Sequence, residues 1–201
     1  MNYIIFDLEL NSKPFKNRHP NEIIEIGAVK LNEKLDVLGT FQSFVKPKLY
    51  KKLFSIVKNK THITQADVNN AEDFRSVITR FRQWIGKDYI LCSWGHDDMH
   101  HLKSNCEFQR IGSKWIRGSI DIQKQFSRIS GLPAGHSFSL KSALERLEIP
   151  IRDELHRADI DALYTAEIFK RIYDKLDTQV VSPQNKAKKG FIGGDPSAGR
   201  N

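Results

Sequence analysis

Cysteine is scarce in this chain: Cys92 and Cys106 are the only two among 201 residues. That density excludes a disulfide-built scaffold and fits a reducing compartment, while a single bridge between the two stays open on the sequence. Long hydrophobic runs are missing as well. No stretch approaches the ~18 apolar residues of a membrane helix. The first residues enter an apolar, strand-like run without a basic leader or a small-residue cleavage site, so no signal peptide is expected and the reading is cytoplasmic. Acidic residues are outnumbered, with 24 Asp+Glu against 32 Lys+Arg, for a net charge of +8 and a pI near 9.4. Such a balance draws polyanions without reading their sequence, although many soluble proteins that bind none are mildly basic. A hydrophobic share of 39% argues against a disordered chain, and the length supports one sizeable core rather than two.

Along the chain, residues 2–6, 23–31 and 38–45 are β-prone runs separated by polar, turn-like residues, which predicts an antiparallel meander. Beyond Pro47 the texture changes. Phe74, Val77, Ile78, Phe81 and Ile85 recur at helical spacing within 71–85, and 89–92 reads as a short buried strand. Further helices are expected over 97–108, 122–129, 139–147 and 158–176, with a strand over 114–120. Three strands followed by strands interleaved with helices is an α/β order. Residues 182–201 are polar, rich in Lys and Gly and aperiodic. They are read as a disordered basic tail, either a solvated end or extra nucleic-acid affinity, behind a domain spanning 1–181. No internal repeat is found.

Three small motifs carry candidate chemistry. Asp7-Leu8-Glu9 follows the apolar run Ile4-Ile5-Phe6, and a strand's period of two sends both carboxylates to one face. Like charges so close repel unless a cation neutralises them, which points to a hard metal such as Mg²⁺ or Mn²⁺; acids on solvent-facing strand ends are nevertheless common. His156-Arg157-Ala158-Asp159-Ile160-Asp161 opens the last long helix, with Asp161 in its first turn, where an acid also compensates the helix dipole. At Trp94-Gly95-His96-Asp97-Asp98-Met99, the apolar stripe Met99, Leu102 and Cys106 leaves Asp98 at its margin and turns Asp97 away. Asp98 is therefore the acid that can face a site, and Asp97 an N-cap or solvated residue. A rival reading makes His96, His100 and Cys106 zinc ligands, but no fourth ligand stands at convincing spacing.

Taken in order, a strand-end Asp-x-Glu, an acid at a later strand-helix junction and His-x-x-x-x-Asp opening the final helix resemble the DEDDh 3′→5′ exonucleases of the RNase H-like superfamily. The resemblance covers about residues 2–176. Glu22 to Val29 resembles the family's second strand, Phe44-Val45-Lys46-Pro47 its third-strand exit, and His62-Ile63-Thr64 the loop before its first helix. Ser93-Trp94-Gly95 is similar to the Eri-type exonucleases and the bacterial KapD-like proteins. Lys48, Lys51, Lys52, Lys58 and Lys60 stand where the family commonly carries Leu-Ser and Leu-Thr-Gly elements, so substrate contacts there depart from the pattern. The resemblance implies an RNase H-like mixed sheet flanked by helices. It implies two Mg²⁺ (or Mn²⁺) ions, with Asp7 bridging both, Glu9 and Asp161 completing one site and Asp98 holding the other partly through water. His156 would be the general base, the partner a single-stranded RNA or DNA 3′ end, and the product a nucleoside 5′-monophosphate. A KapD-like regulatory or nucleic-acid-binding role on a catalytically weak nuclease scaffold is the alternative, and an RNase H-type endonuclease another. Phe6, Trp94 and Phe138 are either base-stacking residues or core.

Overall fold

Along the strand β1 (Asn2–Asn11), successive side chains point to opposite faces of the sheet, and each face is covered by different helices. A computed structural model describes residues 1–15 and 17–178. Ile4, Phe6 and Leu8 enter one core with Phe41, Leu91 and the buried faces of α3 (Phe74–Ile85) and α4 (Asp97–Phe108). Tyr3 and Ile5 enter the other, with Val29, Leu31, Phe126, Leu144 and Phe169. That second face is covered by α5 (Ile122–Ile129), α6 (Leu140–Arg146) and α7 (Ala158–Ile172).

β2 (Glu22–Leu31) and β3 (Val37–Phe44) complete the antiparallel meander expected from the sequence. On its other edge β1 pairs in parallel with β4 (Tyr89–Ser93), which pairs in parallel with β5 (Ser119–Asp121). The result is a mixed five-stranded sheet in the order β3-β2-β1-β4-β5 with helices on both faces, the RNase H-like α/β arrangement. Among the described residues no helix is long and apolar enough to cross a membrane. Cys92 and Cys106 are both buried and free, so the bridge left open by the sequence is not made.

Several boundaries differ from the sequence reading. The strand expected over 114–120 shrinks to Ser119–Asp121. Trp115 and Ile116 are buried, but in turns closed by Ile116 N–H to Ser113 and Arg117 N–H to Trp115, because an apolar pair marks burial without fixing the backbone. Two short helices escaped notice, α1 (Ser55–Thr61) and α2 (Gln65–Asn70). The second carries a legible start signal, a capping box in which Thr64 and Asp67 each bond the other's backbone N–H. The final helix ends at Ile172 and tightens into a 3₁₀ turn over Tyr173–Lys175. The tail of 182–201 lies outside the described residues.

Gly27 sets the spacing between α7 and the sheet. A Cβ there would sit 2.1 Å from the Ala158 carbonyl carbon and 2.2 Å from the Asp159 nitrogen, both main-chain atoms with no rotamer to yield. Only a glycine lets the N-terminus of α7 settle this deeply on β2. Gly27→Ala should therefore lower stability by about 1–3 kcal/mol through overpacking. Urea unfolding checks this, and an unchanged midpoint with an unchanged slope would show that α7 does not rest on that contact.

Candidate active site

Asp7 and Glu9 continue the β1 row begun by Tyr3 and Ile5, so the alternation that buries those residues under α7 also aims both acids at its first turn. Opposite them on β2 stand Gly27, paired with Asp7, and Glu25, paired with Glu9. Glu25 is wholly buried and binds Arg157 at 2.7 and 3.1 Å, the Ala158 N–H at 3.2 Å and the Gln42 side-chain amide at 2.7 Å. This clamp fixes the entry to α7. One turn later Asp161 meets the two β1 acids: ligand oxygens of Asp7, Glu9 and Asp161 all lie within 4.8 Å of one another.

Asp98 arrives from the other side, in the first turn of α4 beyond β4. It stands outside the tight group of three, yet among the acids its charge acts most strongly on Asp7. Asp97 is exposed and pairs with His96 at 3.1 Å, and His96 itself occupies the N-cap position without a side-chain cap bond. Cys106 lies fully in the core while His96 is 84% exposed, so the zinc alternative has no converging ligand set. Among the described residues Asp7, Glu9 and Asp161 form the one such group.

Burial and mutual repulsion push the acids upward. Asp7 lies well above the usual carboxylate range, through burial first and then the charges of Asp98, Asp161 and Glu9. Burial lifts Glu9 to about 8, against the opposing charge of Lys60. It lifts Asp98 to about 7, with the Leu8 backbone N–H pulling the other way. For Asp161 burial again leads, to about 6, opposed by the His156 backbone N–H and by Lys60. A cluster so costly to ionise alone, built wholly from carboxylate oxygens, fits a hard divalent cation such as Mg²⁺ or Mn²⁺.

His156 lies in the loop before α7 with a φ of +76°, a conformation that non-glycine residues rarely adopt. Its backbone N–H reaches both oxygens of Asp161 at 3.3 Å, while its ring remains exposed. Burial, followed by the charge of Lys60, lowers its pKa, so the imidazole is neutral at neutral pH. Phe6 is wholly core, and half-buried Trp94 and Phe138 pack on Phe126 at 5.9 and 5.3 Å.

The sequence reading passed over Glu25, Gly27 and Arg157, although two of them left signals. A lone acid inside the apolar run Ile23-Ile24-Glu25-Ile26 requires a buried partner, and a glycine in mid-strand marks a close backbone approach. Lys60, whose charge acts on Asp7, Glu9, Asp161 and His156, was noticed only as a departure in composition.

The RNase T model, described as an exonuclease, matches residues 4–169. The PolC-type DNA polymerase III of Ureaplasma parvum serovar 3 is 30% identical over 180 residues, covering 87% of this chain and 12% of that protein. The Clostridium perfringens counterpart is 29% identical over 191 residues, covering 92% and 12%. The chain thus spans about an eighth of the length of these relatives. Among solved structures, the nuclease domain of 3'hExo, a DEDDh family member, superposes with a TM-score of 0.79 at 25% identity, over 90% of this chain and 95% of that one. Exonuclease I of E. coli superposes at 0.68 with 11% identity over 87% of this chain and 41% of its own, a likeness of fold alone. The chain belongs to the RNase T exonuclease family, as a DEDDh member of the RNase H-like superfamily.

Proposed function

We propose that this chain is a 3′→5′ exonuclease that hydrolyses RNA or single-stranded DNA to nucleoside 5′-monophosphates, using two divalent cations, Mg²⁺ or Mn²⁺. The observation that carries the reading is the convergence of Asp7, Glu9 and Asp161 within 4.8 Å, from opposite ends of the domain, at a place where their charges are unfavourable alone. The 3'hExo nuclease domain was seen bound to rAMP, a nucleoside monophosphate of the kind proposed here as the product.

In this reading Asp7, Glu9 and Asp161 would hold one ion, and Asp7 with Asp98 of α4 would hold the second. Bound there, the ions would supply a lowered pKa for water and charge stabilisation at a phosphate. The remaining work falls to the protein. His156 accepts the proton of the attacking water on an imidazole nitrogen, and its lowered pKa keeps that nitrogen free. The bonds from its backbone N–H to Asp161 fix the loop against the acid cluster without occupying the ring.

Asp7→Ala should abolish metal-dependent release of mononucleotides from end-labelled single strands, with the fold intact by circular dichroism. Full activity in that variant ends the proposal, and a strand that is bound but never shortened by the unmutated protein identifies a binding scaffold instead. His156→Ala should slow turnover by roughly 10²–10⁴-fold while calorimetric affinity for Mg²⁺ or Mn²⁺ stays the same. A collapse of that affinity makes His156 a ligand. Blocking the 3′ hydroxyl should stall digestion; continued internal cleavage points to an endonuclease.

Stability should carry the same signature. Glu9, Asp98 and Asp161 titrate near 8, 7 and 6 in the folded chain, against about 4 when unfolded. Between those limits the native state binds more protons than the unfolded state, so the cluster's contribution to stability falls as pH rises through the window. In EDTA the melting temperature should drop from about pH 5 to about pH 8. Added Mg²⁺ should restore it at the upper pH and do little at the lower. A cation effect that is equal at both, or no such drop, contradicts a site made by these carboxylates.

A further inference from the structure

Two buried polar side chains are devoted to an irregular, lysine-bearing segment beside the acid site, and the chemistry above uses neither of them. Glu22, 3% exposed at the start of β2, accepts the backbone N–H groups of Lys48, Leu49 and Tyr50 at 2.7 to 3.1 Å. Asn11, fully buried, donates to the Tyr50 and Lys52 carbonyls at 3.0 and 3.2 Å and accepts the Phe54 N–H at 3.1 Å. A loop without regular structure is thereby made rigid.

That loop presents rings and cations. Phe15, Tyr50 and Phe54 meet with centroids 5.7 to 6.1 Å apart, and Phe15 remains 48% exposed. The Asn17 amide, donating to the Tyr50 hydroxyl at 2.6 Å, ties the Phe15 loop to the group. Lys48, Lys51, Lys52, Lys58 and Lys60 are exposed, and among the described residues none of them forms an ion pair. A cluster serving packing alone gains nothing from leaving a phenyl ring half in water amid unpaired lysines. Open aromatic faces flanked by ammonium groups match a flexible polyanion whose bases can stack, which is single-stranded nucleic acid.

The distances suit such a strand. Asn11 lies two residues past Glu9, about 7 Å along β1. From Phe54, the N-cap of α1, to Lys60 in its last turn is about 9 Å along the helix. The C-cap of that helix, His62, pairs with Glu154 at 3.1 Å, which sets the end of α1 against the loop that carries His156. A strand whose 3′ end rests on the acids can run along α1 to the rings within its next few nucleotides.

We propose that Phe15, Tyr50 and Phe54, with Lys51, Lys52 and Lys60, form a docking platform for the single strand on the 5′ side of the cleaved nucleotide, holding it by stacking and phosphate contact without reading its sequence. The proposal rests on the exonuclease reading for its direction. It is tested by comparing kcat/KM on a long single strand with kcat/KM on a dinucleotide too short to reach the rings. Phe15→Leu, which keeps the apolar volume and loses the ring, should lower the ratio of long to short about tenfold, the loss of one stacked base. Phe15→Trp should restore it. Lys51→Gln with Lys52→Gln should flatten the dependence of log affinity on log salt by about 1.4, or ~0.7 for each phosphate contact in a single strand. An unchanged ratio, an equal loss on both substrates, or an unchanged salt slope overturns the platform. If the unmutated chain hydrolyses neither substrate, the exonuclease reading has failed. Fluorescence anisotropy of a labelled strand in EDTA then decides the platform by itself, with weaker binding by Phe15→Leu supporting it and equal binding refuting it.

Discussion

Three carboxylates forced together where each raises the cost of ionising the others is the constraint around which this molecule is arranged. Asp7 and Glu9 lie near the start of the chain and Asp161 near the end of the described part, so nothing local brings them together. What does so is a main-chain contact that only Gly27 permits and a wholly buried Glu25 that grips Arg157 and the first N–H of α7. Because breaking a buried pair leaves an uncompensated charge, the clamp is harder to loosen than its few bonds imply. The fold thus uses a buried ion pair to hold beside it a carboxylate cluster whose charges are unfavourable alone, a donor set that fits a divalent cation.

Much of this was legible in the sequence, for physical reasons that differ from element to element. The period of two in β1 decides at once which residues are core and which acids share a face, and Tyr3, Ile5, Asp7 and Glu9 do share one. The apolar spacing of α3 needs no tertiary context either. The stripe of Met99 and Leu102 likewise separated Asp98, half-buried beside the site, from exposed Asp97. By contrast, Trp115 and Ile116 are an apolar pair that is buried, and burial alone does not choose between strand and turn. α1 and α2 are too short to show a convincing period, and the lysines of the segment around them hid their hydrophobic anchors Leu53, Val57, Ile63 and Val68. Glu25 and Arg157 are meaningful only as a pair, and they lie on separate elements far apart along the chain.

Aromatic residues show the same division. Phe6 sits next to the first acid in sequence, yet the pleat of β1 turns it to the opposite face and buries it. Trp94 and Phe138 belong to a cluster around Phe126. Among the described residues the one exposed Phe, Tyr or Trp ring, that of Phe15, comes from a loop instead, where no periodicity exists to advertise it, and it packs on Tyr50 and Phe54. The support of that group is polar and hidden, in Asn11 and Glu22, so a segment rich in exposed lysine is also firmly anchored.

The order of elements along the chain has a consequence during synthesis. All five strands and three of the four acids, Asp7, Glu9 and Asp98, emerge from the ribosome before α7 does. A nascent chain can build most of its sheet and still lack Asp161, together with the Arg157 that partners buried Glu25. Until the last helix docks, Glu25 has the Gln42 amide but lacks its Arg157 partner, and the group of three acids lacks Asp161. Completion of the fold and completion of the acid cluster are then one event, set by the docking of a single helix.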